Sequence, residues 1–386
     1  MLRRWCRGPA LVVFGALVAT SCASDVRGLP VTERRLVAAQ DVGVVTPGQV
    51  EQPTPTAPPI VGEPAPLEPA DPDLAMPLTG LERNERAELP AIAVRIDNTR
   101  DALPQRGLVD ADVVIENLVE GRLTRLLAVY HSTLPESVGP VRSARSTDVD
   151  LLPAFGNPGF VYWSSNEGVA NEVAGVGFAQ GLVDLGIDRF PDAYSREEVP
   201  ERPIELTGFA SLPTLFDQLP EDTVAPPVLF ERRANGAARA QPLVPGIRID
   251  RGALQDVTWV WVGQEWVRSQ FGRPHLDESG VVVTAANVVV IEADYGISAA
   301  DPTSPQAISV GNGRALVLTD GALIEATWTR SSPRDSWTFE DSSGQPVLLA
   351  PGTTWLEITS PQMAQMLDPG RVTDLVADAA PFLPQN

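Results

Sequence analysis

The polar residues between positions 116 and 148 have the types and spacing that ligand binding or catalysis would need. A Gly-Pro turn precedes a helix predicted over 143–155, and the first backbone N–H groups of such a helix are free to bind an anion. Arg142 and Arg145 are three residues apart, so a helix would present both guanidinium groups on one face, beside Ser143. This pattern predicts a site for a carboxylate or a phosphate.

Charged residues of a predicted β-hairpin would form the shell of this site. Glu116 and Arg125 are expected to face each other on its two strands, with Glu120 at the turn and Asn98 after the preceding strand. Buried charges are costly unless they are paired. Two interpretations stay open: these residues orient a ligand on the two arginines, or the arginines pair with internal carboxylates and stabilise the fold.

A pair of carboxylates offers a different chemistry. Glu116 or Glu120 could act as acid or base on cell-wall material, with Asn98 or Asn166 positioning the substrate. Four residues apart on one strand, the two glutamates would be separated by about 13 Å, too far for such a pair unless the strand bends. The sequence has no nucleophile elbow, zinc-protease, phosphate-loop or dinucleotide motif. Whether the chain is an enzyme stays open, and neither a cofactor nor a metal site is predicted.

The N-terminal sequence predicts that the protein is located outside the cytosol. Residues 1–21 combine an arginine-rich start, a short apolar run and small residues, which is typical of a signal peptide. Cys22 follows directly and is the expected site of lipidation. The prediction is a protein anchored to the outer face of the cell membrane through this lipid, or a secreted protein if Cys22 is not lipidated.

Composition limits the remaining possibilities. Residues 22–85 are expected to be a lipidated N-terminus and a disordered linker, because residues 51–80 contain nine prolines. The net charge of −21 disfavours nucleic acid as a partner. With 386 residues the chain is long enough for two domains beyond the linker.

The predicted fold class is α+β, with a mixed α/β domain over 86–225, a linker over 226–245 and a mainly antiparallel β domain over 246–386. Strands are predicted from β-branched apolar runs at 91–96, 111–116, 123–130, 159–163, 257–262, 264–269, 281–283, 288–292, 314–319, 323–330, 336–339 and 355–359. Further short helices are predicted at 166–173 and 211–219. Six of the eight tryptophans lie in the second half, where core packing is expected, although a sugar-stacking or protein-docking surface is the alternative.

The sequence resembles the YerB-like bacterial lipoproteins, whose two globular parts are domains of unknown function. The first part of the resemblance rests on Ile96-Asp97-Asn98, Pro104 to Leu108, Ala111 to Val114, Glu116, Val119 to Gly121, Thr124-Arg125 and Gly139-Pro140-Val141-Arg142-Ser143-Ala144-Arg145. The second rests on Asn287 to Val290, Gly311 to Ala315, Asp320-Gly321, Thr327-Trp328 and Pro351 to Trp355.

The resemblance implies a membrane anchor and a two-domain folded part but no activity. This chain has Pro203 to Thr207 where family members carry Pro-His-Asn-Leu-Tyr, and Arg106 replaces a serine. The leading hypothesis is a binding or scaffolding protein of the cell envelope that holds an anionic or cell-wall-derived ligand. The alternatives are a cell-wall hydrolase or transferase that uses the carboxylates, and a module that docks an envelope protein through the tryptophan-rich domain.

Overall fold

The computed structural model describes residues 67–236, 244, 246–252 and 256–384. These residues belong to one compact unit, Val61–Asn386. The predicted signal peptide, Cys22 and most of the predicted linker lie outside the described residues. In the part that is described, no helix combines the length and apolar character needed to cross a bilayer.

A ten-stranded mixed sheet forms the centre of the fold. Its strands are, in chain order, β1 (Ile92–Asp97), β2 (Val113–Leu118), β3 (Thr124–Tyr130), β4 (Gly159–Val161), β5 (Val183–Asp184), β13 (Asn287–Glu292), β16 (Gly311–Thr319), β17 (Ala322–Arg330), β18 (Thr338–Asp341) and β19 (Thr354–Thr359). Their spatial order is β18-β17-β16-β13-β19-β2-β3-β1-β4-β5. β19 pairs in parallel with β13 on one side and with β2 on the other.

A second, smaller sheet packs on one face of the large sheet. It contains β8 (Gly246–Asp250), β9 (Asp256–Val262), β10 (Glu265–Gln270), β11 (Arg273–Pro274), β12 (Thr284–Ala285) and β20 (Ala364–Met366), and all its pairs are antiparallel. Two hairpins are formed by β6 (Tyr194–Arg196) with β7 (Gly208–Ala210) and by β14 (Tyr295–Ile297) with β15 (Pro305–Ala307).

Four α-helices are short and lie outside the sheets: α1 (Ser146–Leu151), α2 (Glu167–Glu172), α3 (Leu212–Phe216) and α4 (Pro369–Ala379). The prediction of an α+β fold, mixed in the first half and mainly antiparallel in the second, is confirmed. Because β19 lies between β13 and β2, the two regions predicted as separate domains contribute strands to the same sheet.

In the middle of the large sheet, from β13 to β4, both faces are buried, which explains the continuous apolar runs of these strands. On the first face, Ile115 and Leu127 pack with residues of α1 and α2. On the second face, Val114 and Leu126 pack against the small sheet, including Trp259. Five of the six tryptophans in the second half are buried, and Trp261 is partly exposed, so these side chains mainly pack the core, as expected.

Two expectations about local structure are wrong. Residues 142–145 are extended, because the backbone N–H of Arg142 bonds to Arg95 and that of Ala144 bonds to Ser164, so α1 begins only at Ser146. The hairpin register places Asn117, not Glu116, opposite Arg125.

Two further segments differ from the structure predicted for them. Residues 281–283 form a single bridge rather than a strand. Met76 and Leu78, within the segment assigned to the linker, are buried against the folded part.

The shared sheet predicts that the two halves unfold together. Leu356 is fully buried in β19, so Leu356→Ala should lower the free energy of unfolding by about 2–5 kcal/mol and move one calorimetric transition as a whole. Leu81→Ala, at a leucine that is 45% exposed, is the control and should change little. Two separate transitions, of which only one responds to Leu356→Ala, would contradict a common folding unit.

Candidate functional site

Charged residues gather on both faces of the large sheet at the end where β2 stops and β3 starts. The register aligns Asp97, Arg125 and Asn117 in one row across β1, β3 and β2. Side chains alternate between faces along a strand, so these three share the first face, and Glu116 points to the second. The charges therefore form two clusters, one on each face.

The cluster on the first face, here the Arg125 cluster, contains four arginines and three carboxylates: Arg95, Asp97, Glu120, Arg125, Arg142, Arg145 and Asp148. Three arginines have one carboxylate partner each. Arg95 Nη1 lies 3.3 Å from Asp148 Oδ1. Arg142 Nε donates to Asp97 Oδ2 at 2.9 Å, and Arg145 Nη2 donates to Glu120 Oε2 at 2.9 Å.

Arg125 is the exception in this cluster. Its side chain donates one hydrogen bond, from Nη1 to the Ser143 carbonyl at 3.1 Å. Among the described residues, no carboxylate oxygen lies within 4.0 Å of its guanidinium nitrogens. Only 7% of the residue is exposed. Burial and then the charge of Arg145 lower the pKa of Arg125 to about 9, so it stays a cation at neutral pH.

The backbone and hydroxyl groups around Arg125 come from the extended segment before α1. The Ser143 carbonyl accepts from Arg125 and, at 3.4 Å, from Arg145. The Ser143 hydroxyl lies 3.2 Å from that of Ser164, an exposed residue that follows β4. Burial raises the pKa of Glu120, but the hydrogen bond and charge of Arg145 outweigh it and hold that pKa below its ordinary value.

The cluster on the second face, here the Glu116 cluster, contains Glu116, Glu357, Arg251 and Arg268. Glu116 and Glu357 are register partners on the neighbouring strands β2 and β19, and both are fully buried. Arg251 bridges them, with Nη1 at 3.0 Å from Glu116 and Nη2 at 2.7 Å from Glu357. Arg268 Nη2 reaches the other oxygen of Glu116 at 2.7 Å.

Neutral groups complete the Glu116 cluster. Asn98 Nδ2 and Thr124 Oγ1 donate to Glu116 at 3.1 and 2.8 Å, and Trp259 donates to Glu357 at 3.1 Å. Burial raises the pKa of Glu116, but Arg268 and Arg251 outweigh it, and the pKa lies below its ordinary value. Burial and the charge of Glu116 raise the pKa of Glu357.

The predicted site residues are thus divided between the two faces. Arg142, Ser143, Arg145, Glu120 and Arg125 lie together in or beside the Arg125 cluster, as the sequence suggested. Glu116 and Asn98 belong to the cluster on the other face, where Asn98 Nδ2 donates to Glu116.

The partners that complete the clusters were not assigned to the site from the sequence. They are Arg95, Asp97, Asn117, Asp148, Ser164, Arg251, Arg268 and Glu357. Of these, Asp97 and Asn117 directly adjoin predicted residues of the two clusters, and Arg95 and Asp148 lie three residues from one, whereas the others are distant from them in the sequence.

The geometry does not support the carboxylate pair as an acid and base. Glu116 has no exposed surface and binds two arginines, while Glu120 is on the opposite face and binds Arg145. Asn166 caps α2 by accepting from the backbone N–H of Val169 and donates to Asp301 at 2.8 Å, so its side chain is engaged away from both glutamates. The group best suited to bind a ligand is the buried guanidinium cation of Arg125, and the ligand that suits it is an anion.

A separate cavity of about 760 Å³ has a mainly apolar lining. It lies between residues 67–80, 228–232 and 341–348 and shares no residue with either cluster.

Comparison with known proteins gives two family matches. Residues 78–221 match the N-terminal domain, and residues 247–356 the C-terminal domain, of a protein of unknown function (DUF3048). A relative described as "Putative lipoprotein YerB" of Bacillus subtilis is 30% identical over 302 residues, which are 74% of this chain and 86% of the relative. The crystal structure of YerB from Bacillus subtilis is similar with a TM-score of 0.65 at 26% identity, covering 76% of this chain and 100% of that one.

The contacts of the Glu116 cluster predict that replacing Glu116 lowers the free energy of unfolding more than replacing Glu357. Glu116→Gln should lower the free energy of unfolding by about 3–5 kcal/mol, because Arg268 would be left buried without a carboxylate partner. Glu357→Gln should cost clearly less, about 1–3 kcal/mol, because Arg251 keeps Glu116 and the repulsion between adjacent carboxylates disappears. Urea unfolding of both variants measures the difference, and an equal or larger loss for Glu357→Gln would contradict this account.

Proposed function

The chain belongs to the DUF3048 family, and on that premise we propose that it is a lipid-anchored protein of the bacterial cell envelope whose folded part binds an anionic ligand. Its anchor would be a lipid on Cys22 after removal of residues 1–21. Its binding site would be the Arg125 cluster on the first face of the large sheet. The ligand would be a small anion or an anionic fragment of the cell wall.

The anchor is supported by the sequence around Cys22 and by the lipoprotein description of the Bacillus subtilis relative. A protein held outside the cytosol meets cell-wall material, which is rich in carboxylates. The proline-rich stretch over 51–80 would act as a spacer between the membrane and the folded part.

The binding site is supported above all by the state of Arg125. A buried cation is unfavourable when neither an ion pair nor several hydrogen bonds replace its lost hydration. Buried Arg232 and Arg330 also lack a carboxylate partner among the described residues, but each donates several hydrogen bonds, whereas Arg125 donates one. Arg95, Arg142 and Arg145 add repulsion, and only Asp97 among the major contributors opposes it. A group that lowers stability in this way is typical of a binding site, where a ligand supplies the missing interaction.

Arg142 and Arg145 would widen the site toward solvent. Their side chains are 26% and 12% exposed, so both can be reached from outside. The Ser143 and Ser164 hydroxyls at the same edge offer hydrogen bonds to a polar ligand. A ligand anion on Arg125 would therefore be held by charge in the interior and by hydroxyl groups at the rim.

The anchor is tested at Cys22. Cys22→Ser should abolish incorporation of a labelled fatty acid and move the protein from the membrane fraction to the soluble secreted fraction. Cys6→Ser is the matched control, since Cys6 lies within the predicted signal peptide, and it should leave both readouts unchanged. Labelling that persists in Cys22→Ser would contradict a lipid on this cysteine.

The binding site is tested by removing the unpaired charge. Arg125→Met should abolish binding of N-acetylmuramic acid and of N-acetylglucosamine 1-phosphate to the full-length chain, measured by calorimetric titration. Its free energy of unfolding without ligand should stay within about 1 kcal/mol of the unmutated chain, because the lost hydrogen bond is offset by relief of repulsion.

Arg122→Met is the control for that experiment, because it removes the same charge from an exposed position three residues away and should leave binding intact. A loss of stability above about 2 kcal/mol in Arg125→Met, with binding retained, would show a structural arginine and overturn the proposal.

A further inference from the structure

The Arg125 cluster leaves one positive charge over. Each carboxylate is matched with one arginine: Asp148 with Arg95, Asp97 with Arg142 and Glu120 with Arg145. Four guanidinium groups and three carboxylates give a net charge of plus one. If the cluster binds an anion, as proposed above, its net charge determines which class of anion it prefers.

Arg125 cannot obtain a counter-charge from its neighbours in the sheet. Asp97, its partner in β1, uses Oδ2 for Arg142 and Oδ1 for the backbone N–H and hydroxyl of Thr99. Asn117, its partner in β2, uses its amide oxygen for two nitrogens of Arg95, both at 3.0 Å. The acceptors on either side of Arg125 are therefore engaged elsewhere.

A single negative charge would complete the cluster. A carboxylate carries one charge and offers two oxygens that fit a guanidinium group. A phosphate monoester carries about 1.5 to 2 negative charges at neutral pH, so part of its charge would stay uncompensated where little water remains. We infer that the site binds a ligand through one carboxylate, in preference to a phosphate monoester.

The two hydroxyl groups at the rim limit the class of ligand further. Ser143 and Ser164 lie within 3.2 Å of each other at the exposed edge, and each can donate or accept a hydrogen bond. They suit a carboxylate that has an amide, ether or hydroxyl group close by. In cell-wall material this chemistry has two sources, the lactyl group of muramic acid and the C-terminus of the stem peptide.

The inference is tested with four ligands on the full-length chain. N-acetylmuramic acid and N-acetyl-D-alanyl-D-alanine supply the carboxylate from the sugar and from the peptide, and N-acetylglucosamine 1-phosphate supplies the dianion. N-acetylglucosamine is neutral and serves as the control. At least one carboxylate ligand should bind about tenfold tighter than the phosphate, and the neutral sugar should not bind. Whichever carboxylate binds tighter identifies the source.

A charge variant tests the balance itself. Glu120→Gln removes the partner of Arg145 and leaves two unpaired cations, so the preference for carboxylate over phosphate should fall about tenfold or reverse. Glu325→Gln, at a 70% exposed side chain outside the cluster, removes the same charge and should leave the preference unchanged.

The outcomes separate the inference from the proposed function. Tighter binding of the phosphate, lost in Arg125→Met, would overturn the choice of carboxylate and leave the anion site standing. A preference that does not respond to Glu120→Gln would also overturn the charge argument. No binding of any of the three anions would overturn both.

Discussion

A buried charge needs a counter-charge or several hydrogen bonds in place of its lost hydration, and this constraint shapes the end of the large sheet on both of its faces. On the second face, the parallel pairing of β2 with β19 sets two buried glutamates side by side. The repulsion between them is offset by two arginines, Arg268 from the small sheet and Arg251 from its flanking loop, which pair with these carboxylates. The Glu116 cluster is therefore balanced and closed, and it ties the small sheet to the large one.

On the first face the same constraint is not met. Three ion pairs form, and Arg125 keeps a single hydrogen bond to a carbonyl. The contrast between the faces separates structure from function within one group of charged residues. Where the charges balance, the cluster stabilises the fold, and the unbalanced cluster is where we propose that a ligand binds. The family match names no activity, so this imbalance is the strongest physical indication of what the folded part does.

Much of the fold could be predicted from the sequence, because apolar, β-branched runs such as 91–96 and 288–292 mark buried strands directly. The hairpin register could not, since it depends on the turn after β2, where Gly121 and Arg122 both have positive φ. A shift of one residue moves a side chain to the other face, which is why the sequence alone predicts Glu116, and not Asn117, opposite Arg125. The arginine partners of Glu116, in the small sheet and its flanking loop, lie 135 and 152 residues away, and no local pattern links them.

The most direct measurement is a crystal structure of the protein grown with N-acetylmuramic acid, compared with one grown without it. The account predicts a carboxylate oxygen within about 3.2 Å of the Arg125 guanidinium group, with the ion pairs of Arg95, Arg142 and Arg145 unchanged. A carboxylate bound away from Arg125 would contradict it. So would a ligand-free crystal in which Arg125 is itself paired with Asp97 or Glu120.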